Sequence, residues 1–301
     1  MKFARVSSVF GKGLIPALLL LSTSMTEASP VMVDTDWLAR SISDSNVVVL
    51  DMSSDETQYQ RFHLPGAIYF PNFYLMRQRK KDNVITRLSQ KELVFMLGQL
   101  GIMRHQHVVL YDDLGGLNAG RMFFELESIG HPNVSVLNGG LVKWILEGRK
   151  VVNVPYQRPQ TRYGEVSKTK SNEASLAEVE AASKTGTVVI DARSKEEYVG
   201  DLKKNQGGHV PGAKWWEWSD SVAMNKGFVF KSGDELTGKL KSLGVSGKTK
   251  PVIAYCRTGH RAAQTYLTLR SLGYTNVKLY ANSMSEYGQL RKSKLVRGMN
   301  P

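Results

Sequence analysis

One stretch of the chain decides the fold, because it combines an apolar run, a tight loop and the start of a helix: Val252-Ile253-Ala254-Tyr255-Cys256-Arg257-Thr258-Gly259-His260-Arg261-Ala262-Ala263. The apolar run predicts a buried strand over Pro251–Tyr255. Apolar side chains then recur at helical spacing from Arg261 to Ser271, and Gly273 follows where a C-terminal cap is expected. Strands that alternate with helices build a mainly parallel sheet, whose site residues lie at the carboxyl ends of the strands. Cys256 stands at such a position.

The same plan occurs twice in the chain. Each copy has an apolar run ending in Asp, then a turn containing His, Pro, Gly and Ala, and then an apolar run ending in Tyr. The matched pairs are Val47–Asp51 and Val188–Asp191, His63–Ala67 and His209–Ala213, and Val108–Tyr111 and Val252–Tyr255. The offset between copies is 140 residues at the aspartates and 144 at the tyrosines. Solenoid repeats recur every ~20–50 residues, so this repeat is a duplicated domain.

We therefore expect an α/β protein of two tandem domains, each a mainly parallel sheet flanked by helices. The first copy spans residues 31–151 and the second copy spans residues 173–301. Residues 152–172 contain Pro155, Pro159 and several charges, which predicts a linker.

The composition fits a folded protein with a single thiol. The chain has 301 residues, of which 42% are hydrophobic and 22% charged, and this excludes disorder of the whole chain. A single cysteine excludes an intramolecular disulfide and a multi-cysteine metal site. The 40 basic residues exceed the 27 acidic ones and give a formal charge of +13. The bases are scattered and no recognition motif accompanies them, so we expect no nucleic-acid partner.

Residues 1–28 have the pattern of a secretory signal peptide. Three basic residues precede the apolar run Leu14–Leu21, and small and polar residues follow up to Ala28. The run is shorter than the ~20 residues that span a bilayer. We expect cleavage near Ala28, a periplasmic or secreted protein and no stable membrane anchor after cleavage; an uncleaved anchor is the alternative. Cleavage leaves 37 basic and 26 acidic residues, a formal charge of +11.

A lone cysteine in an exported protein points to chemistry, because such proteins ordinarily use cysteine in pairs. The alternative is a buried cysteine acting as a small apolar residue. Backbone N–H groups of the loop and of the helix start can converge on the sulfur and bind an anion. Arg257 and Arg261 add positive charge, and Gly259 allows a left-handed backbone where the loop curls. The segment Cys256–Arg261, called the cysteine loop below, therefore predicts an activated thiolate in an anion-binding cradle.

With these motifs in order, the chain resembles the tandem-domain rhodanese, or thiosulfate sulfurtransferase, family over essentially all of residues 29–301. The resemblance rests on the cysteine loop, on Asp191-Ala192-Arg193, on the turn Gly208–Ala213, and on Leu137–Gly140 with Trp144, Glu147 and Gly148. It implies a double displacement in which the Cys256 thiolate takes the outer sulfur of thiosulfate and releases sulfite. The resulting persulfide then passes its sulfur to a thiophilic acceptor such as cyanide or a thiol.

The resemblance also implies the roles of individual residues. Cys256 is the catalytic nucleophile, and the substrate-binding residues are Arg193, Arg257, Thr258, Gly259, His260 and Arg261. For Arg193 the alternative is an ion pair with Glu196 or Glu197. His260 either tunes the thiol or an incoming acceptor, or is merely exposed. No cofactor and no metal are expected; the pair His105 and His107 lacks further ligands. The expected partners are a small anionic sulfur donor and a thiophilic acceptor, which a second protein could supply.

The first copy lacks the chemistry of the second. After Tyr111 it has Asp112 and Asp113, and a carboxylate cannot store sulfane sulfur and would repel an anionic donor. We expect the first copy to be catalytically inactive and to contribute packing and one wall of the cleft. His63 and His209 occur in both copies, which favours a structural role for both. Three tryptophans, Trp215, Trp216 and Trp218, are expected in the core.

Two departures from the family bear on the substrate. Members specialised for thiosulfate often carry a basic residue at the third loop position, where this chain has Thr258. Members specialised for mercaptopyruvate tend to have glycine at the second position, where this chain has Arg257, so thiosulfate is favoured. The segment Ser285–Gly288 replaces a tryptophan-containing ending, which leaves the far wall of the cleft undefined by the resemblance.

Two other functions remain open at this point. Cysteine phosphatases and arsenate reductases of similar fold place five residues between Cys and Arg, whereas four separate Cys256 from Arg261, which makes a smaller cradle. A non-enzymatic persulfide carrier is the second alternative, and the positive charge would suit an acidic protein partner.

Overall fold

A computed structural model describes Met1 and residues 29–166, 171–204 and 206–300. The predicted signal peptide and its cleavage site lie outside the described residues apart from Met1, as do residues 167–170 of the predicted linker.

Each of the two copies contains one parallel sheet. In the first copy the sheet has the strand order β1-β7-β6-β2-β3, and in the second copy the order is β13-β12-β8-β9. The strands are β1 Met32–Val33, β2 Val47–Asp51, β3 Ile68–Tyr69, β4 Met76–Gln78, β5 Ile85–Arg87, β6 His107–Tyr111, β7 Val134–Leu137, β8 Val188–Asp191, β9 Lys214–Trp215, β10 Val222–Ala223, β11 Val229–Phe230, β12 Val252–Tyr255 and β13 Val277–Leu279. Glu173 adds a parallel bridge to Leu279, at the position that β1 takes beside β7 in the first copy. The predicted mainly parallel α/β sheets are confirmed.

The sheets of the two copies have the same strand register at the carboxyl ends of their central strands. Asp51 pairs with Tyr111 at the end of β2 and β6, and Asp191 pairs with Tyr255 at the end of β8 and β12. The strands β2 and β12 are buried along their whole length, as expected for a parallel sheet covered on both faces. Each tyrosine hydroxyl donates a hydrogen bond to the paired aspartate. This polar pair fixes the edge from which the cysteine loop departs.

Ten helices of the described residues cover the sheets, five in each copy. They are α1 Thr35–Ser41, α2 Glu56–Arg61, α3 Gln90–Gln99, α4 Leu117–Ser128, α5 Gly140–Leu146, α6 Leu176–Thr185, α7 Lys195–Val199, α8 Gly233–Ser242, α9 His260–Ser271 and α10 Ser283–Leu290. Capping boxes start α3 at Ser89 and α6 at Ser175, where each serine and the glutamate three residues later satisfy free N–H groups. The helix predicted over Arg261–Ser271 begins one residue earlier, and Gly273 follows it with φ of 81°.

The copies pack together through α4 and α9. Their buried apolar side chains include Phe123 and Phe124 on α4 and Tyr266 and Leu267 on α9, and they belong to one continuous core. At Gly120 the two helices approach so closely that an added Cβ would lie 3.1 Å from the carbonyl oxygen of Ala263. This close packing brings the amino-terminal ends of the two helices, and the loops before them, to the same interface.

Each copy also carries a short antiparallel hairpin, β4–β5 in the first and β10–β11 in the second. The hairpin β4–β5 reaches the second copy, where the Ile85 N–H donates a hydrogen bond to Ser285 Oγ at 3.1 Å. Of the three tryptophans expected in the core, Trp216 is buried, while Trp215 and Trp218 are only partly buried. Among the described helices, none has the length and apolar character needed to cross a membrane.

Candidate active site

Cys256 lies directly after β12, with a side chain buried against the core. Its N–H donates to Ser283 Oγ at 3.0 Å, and its carbonyl accepts from the N–H of Met284 at 3.1 Å. The next carbonyl, of Arg257, accepts from the N–H of Ser285 at 2.9 Å. The start of α10 therefore forms hydrogen bonds with the N–H of Cys256 and with the carbonyls of Cys256 and Arg257.

Ser283 makes this contact from an unfavourable backbone conformation. It is fully buried and has φ of 50°, a left-handed conformation that non-glycine residues rarely adopt. The first copy has Gly140 at the matching position with the same φ. Ser283 was not predicted as a site residue. Aligning the two copies places it opposite a glycine, which indicates a position with an unusual backbone conformation.

The cysteine loop curls where the sequence predicted. Gly259 is the N-cap of α9 with φ of 80°, and an added Cβ would lie 2.4 Å from the carbonyl oxygen of Ala281. A side chain at this position is therefore excluded by both backbone conformation and space. The N–H groups in the first turn of α9 have no acceptor within the helix. This first turn begins in the loop that carries Cys256.

The first copy shows what the loop at the equivalent place binds. The loop Asp112–Asn118, called the aspartate loop below, ends at the start of α4 as the cysteine loop does at α9. The Asp112 carboxylate accepts hydrogen bonds from four backbone N–H groups at 2.8–3.0 Å, those of Leu114, Gly116, Asn118 and Ala119. Burial raises the pKa of Asp112, and the backbone hydrogen bonds oppose that shift. The aspartate loop is thus a cradle that its own carboxylate fills.

This geometry gives a second reason for the expected inactivity of the first copy. Besides lacking a thiol, its cradle is occupied by Asp112, while Asp113 accepts hydrogen bonds from Ser54 outside the cradle. The aspartate loop is also one residue longer, because its N-cap Gly116 comes four residues after Asp112 and Gly259 comes three after Cys256. This difference in length was not predicted from the sequence.

The arginines near the cysteine loop are not equivalent. Arg193 is buried and pairs with Asp191 at 2.5 Å, and it also donates to the Gly208 carbonyl at 2.8 Å. The alternative partners named from the sequence, Glu196 and Glu197, are wrong for this arginine. Glu197 instead pairs with Arg261 at 2.5 Å. Both guanidinium groups therefore have a carboxylate partner.

Arg257 differs from these two arginines. Its side chain is exposed, and among the described residues it has no ion pair. It lies with Thr258 on the lining of a cavity of about 550 Å³. Of the three arginines, Arg257 therefore presents the unneutralised positive charge to this cavity.

Both copies line that cavity. The second copy contributes Arg193, Glu197, Arg257, Thr258, Met284, Ser285 and Gln289, and the hairpin β4–β5 region of the first copy contributes Gln78, Asn83 and Ile85. The wall that the sequence left undefined is thus formed by α10, through Met284, Ser285 and Gln289. The expectation that the first copy supplies one wall agrees with this lining.

His260 is partly buried and contacts the first copy. Its Nε2 lies 2.7 Å from Asn118 Oδ1, and its Nδ1 is buried without a hydrogen-bond partner. Burial, and then the charges of Arg121 and Arg261, lower the pKa of His260 to about 4. The exposed alternative is wrong for this histidine, whereas a role in tuning the thiol or an incoming acceptor stays a prediction. Asn118 was not predicted from the sequence.

The two histidines shared by the copies are buried within their turns. His63 stacks on Tyr59 and His209 stacks on Tyr198, with ring centroids 3.8 and 3.7 Å apart. Each Nδ1 lies within hydrogen-bond distance of the carbonyl of the same tyrosine. In the part of the chain that the structure describes, no group of three or more His, Cys, Asp or Glu side chains could hold a metal ion.

The site geometry agrees with a comparison to protein families. The model of the rhodanese-like domain matches this chain twice, over residues 34–147 and 175–290. The chain belongs to the rhodanese family. Its duplicated sheets, with the cysteine loop after β12 and the aspartate loop after β6, are two rhodanese domains in tandem.

Relatives of this rhodanese match it over nearly their full length. The sulfur carrier protein TtuD of Thermus thermophilus is 31% identical over 284 residues, covering 89% of this chain and 97% of that protein. The thiosulfate sulfurtransferase of Azotobacter vinelandii is 31% identical over 264 residues, covering 86% and 94%. The crystal structure of SseA from Escherichia coli, described as a 3-mercaptopyruvate sulfotransferase, has 27% identity and a TM-score of 0.72, covering 85% of this chain and 99% of that one.

Proposed function

We propose that this rhodanese is a sulfurtransferase that moves sulfane sulfur from thiosulfate, or a related anionic donor, to a thiophilic acceptor. The sulfur travels as a persulfide on Cys256. One observation carries the proposal: Cys256 stands where the first copy has Asp112, between a strand of the sheet and the N-cap glycine of a helix, and there four N–H groups hold the carboxylate. A cradle of this shape stabilises a negative charge at the end of a short side chain.

The proposed reaction has two displacements. The Cys256 thiolate attacks the outer sulfur of thiosulfate, a new S–S bond forms, and sulfite leaves with the electron pair of the old one. The terminal sulfur of the persulfide then carries the negative charge within the N–H groups of the cysteine loop. An acceptor such as cyanide attacks that sulfur, forms thiocyanate and returns the Cys256 thiolate.

The three arginines have different roles in binding the donor. Arg257 is exposed at the cavity and has no carboxylate partner among the described residues, so we assign it the attraction of the anionic donor. Arg193 also lines this cavity, but it is paired with Asp191, and Arg261 is paired with Glu197, another residue of the lining. Their roles are to shape the cavity wall and to hold α7 against the cysteine loop, with Thr258, Gly259 and His260 forming the rest of the loop.

The decisive experiment compares two donors. We expect release of sulfite from thiosulfate, with formation of thiocyanate when cyanide is present, to exceed release of pyruvate from mercaptopyruvate. Cys256→Ser is the matched control, since it keeps the size of the side chain and removes the sulfur. Activity of the Cys256→Ser variant equal to that of the wild type would exclude the mechanism.

A persulfide carrier is a second candidate, because one relative over nearly its full length is named a sulfur carrier protein. A carrier would gain one sulfur atom from thiosulfate and hold it in the presence of cyanide or a small thiol. An enzyme would release many equivalents of thiocyanate per chain. Counting turnovers with excess cyanide therefore separates the two candidates.

We propose in addition that the protein is exported to the periplasm or secreted. The basic start, the short apolar run and the small residues before Ser29 support this proposal. Mass spectrometry of the protein from its native host should find an amino terminus near residue 29, outside the cytoplasm. An intact Met1 on a cytoplasmic protein would contradict it.

A further inference from the structure

A hydrogen bond joins the aspartate loop of the first copy to the cysteine loop of the second. Asn118 is the second residue of α4, and its backbone N–H donates to Asp112 Oδ2 at 2.8 Å. Its side-chain oxygen lies 2.7 Å from Nε2 of His260, the first residue of α9. The carboxylate held by the aspartate loop is thus connected, through one asparagine, to a side chain of the cysteine loop.

The direction of this hydrogen bond is fixed by the surroundings of Asn118. Its Nδ2 donates to the carbonyl of Met52 at 2.9 Å, so Oδ1 is the atom that faces His260. His260 Nε2 must therefore carry the hydrogen, which leaves Nδ1 as a buried acceptor. Burial and the neighbouring arginines lower the pKa of His260 to about 4, so the ring is neutral at neutral pH. The contact is a directional bond between neutral groups.

A second residue of α4 touches the neighbouring residue of the cysteine loop. Arg121 Nη1 is buried without a hydrogen-bond partner and lies 3.0 Å from the place a Cβ on Gly259 would occupy. Arg121 itself is held by an ion pair with Glu125 at 2.9 Å. Gly259 is thus enclosed between Arg121 on one side and the Ala281 backbone on the other. The last residues of the cysteine loop rest on the first copy at two adjacent points.

We propose that Asn118 is a positioning residue for sulfur transfer: its hydrogen bond to His260 fixes the first turn of α9, and with it the N–H groups that face Cys256. The proposal rests on the function proposed above. The catalytically inactive copy would then act on the reaction through one neutral side chain that never touches the substrate. A displacement of about 1 Å at such a distance from the chemistry can lower a rate as much as 100-fold.

The first test replaces the acceptor with an apolar side chain of similar size. We expect Asn118→Leu to lower kcat for sulfite release from thiosulfate about tenfold, with less than about a twofold change in KM, because Arg257 still attracts the donor. His260→Leu should cause the same loss. His260→Gln keeps an N–H donor in reach of Asn118 and should retain most of the wild-type kcat.

Asn172→Leu is the matched control for a loss of stability. Asn172 lies at the same interface, where its Nδ2 donates to Tyr266 Oη at 3.2 Å and to the Phe124 carbonyl at 3.4 Å, away from the cysteine loop. We expect Asn172→Leu to lower the melting temperature as Asn118→Leu does, and to leave kcat and KM unchanged. The double variant Asn118→Leu/His260→Leu should be no slower than either single variant, since all three lack the same bond.

The rate at which iodoacetamide alkylates Cys256 gives a readout that does not depend on sulfur transfer. We expect it to change severalfold in Asn118→Leu and to match the wild type in Asn172→Leu. If the wild type released no sulfite, the proposed function would fail, and the alkylation rates would still decide whether Asn118 positions the loop. The positioning role is overturned if Asn118→Leu and Asn172→Leu behave alike in kcat and in alkylation.

Discussion

At the scale of single residues, the site depends on which charges are already paired. Asp191 forms an ion pair with Arg193, and Glu197 forms one with Arg261. The exposed Arg257 has no ion pair among the described residues. The sequence assigned all three arginines to donor binding, with an ion pair as the alternative for Arg193 alone. The structure separates an exposed arginine, to which we assign the attraction of the donor, from two arginines that are paired with carboxylates.

Arg257→Gln tests this separation. We expect it to raise KM for thiosulfate about fivefold to tenfold while kcat changes less than twofold, because an exposed cation contributes long-range attraction that salt screens. The steady-state parameters should be measured at two ionic strengths, and the difference between variant and wild type should shrink at the higher one. Lys241→Gln, which removes an exposed charge of α8 outside the cavity lining, is the control. An unchanged KM in Arg257→Gln would contradict the assignment.

Arg193→Gln should act on stability first. It leaves the buried Asp191 carboxylate without its cation, and breaking a buried pair in this way costs about 3–5 kcal/mol. We expect a lower free energy of unfolding in urea than for Arg257→Gln. Equal stability of the two variants would show that the Asp191 pair contributes little to the fold.

At the scale of elements, the cysteine loop is shaped by what surrounds it rather than by its own six residues. The start of α10 holds the Cys256 and Arg257 carbonyls, and Gly259 turns the chain against the Ala281 backbone. The aspartate loop stands at the equivalent place, between β6 and α4, with one more residue. We propose that the side chain at the base of each loop, a carboxylate at Asp112 and a thiol at Cys256, decides what the loop holds.

Gly259→Ala tests the shape of the loop, with Gly273→Ala as its matched control. Both glycines are left-handed, with φ of 80° and 81°, so each substitution should cost about 1–2 kcal/mol of backbone strain. Only at Gly259 would the new methyl group also collide with backbone, at the Ala281 carbonyl; at Gly273 nothing lies within 4 Å. We expect Gly273→Ala to keep its activity and Gly259→Ala to lose at least about 100-fold in kcat/KM. Equal activities would mean that the loop tolerates displacement.

The sequence was informative where local chemistry determines local structure. The apolar runs predicted β2 and β12, helical spacing predicted α9 to within one residue, and Gly259 predicted the left-handed turn. Contacts between distant segments could not be derived in this way. Ser283 and Asn118 act through the meeting of α10 and α4 with the loop, and a single sequence gives no spacing from which such meetings follow. The Asp191 partner of Arg193 is local, two residues away, and was not predicted either.

At the scale of the whole molecule, the two copies differ in one buried charge. The second copy has the Asp191–Arg193 pair at the end of its strand, whereas the first copy has Asp51 with Ser53 at the matching position. Burial raises the pKa of Asp51 to about 6, although hydrogen bonds from Ser53 and Tyr111 oppose the shift. The first copy therefore carries a buried carboxylate without the cation that its counterpart has.

This difference predicts a pH dependence of stability. Because the folded-state pKa of Asp51 is raised, its contribution is fully present below about pH 4 and is lost as the pH rises through about 6. The loss amounts to roughly 3 kcal/mol of unfolding free energy. In urea unfolding between pH 4 and 7, the wild type should lose that much relative to Asp51→Asn. The exposed Asp220→Asn should follow the wild type, and parallel curves for wild type and Asp51→Asn would contradict the raised pKa.

The central claim is that Cys256 carries the transferred sulfur. Intact-mass spectrometry after treatment with stoichiometric thiosulfate, followed by peptide mapping, tests it most directly. We expect the mass of one sulfur atom on the peptide that contains Cys256, its loss on addition of cyanide, and no gain in Cys256→Ser. Release of sulfite with no added sulfur on the chain, or the same gain in Cys256→Ser, would contradict the account.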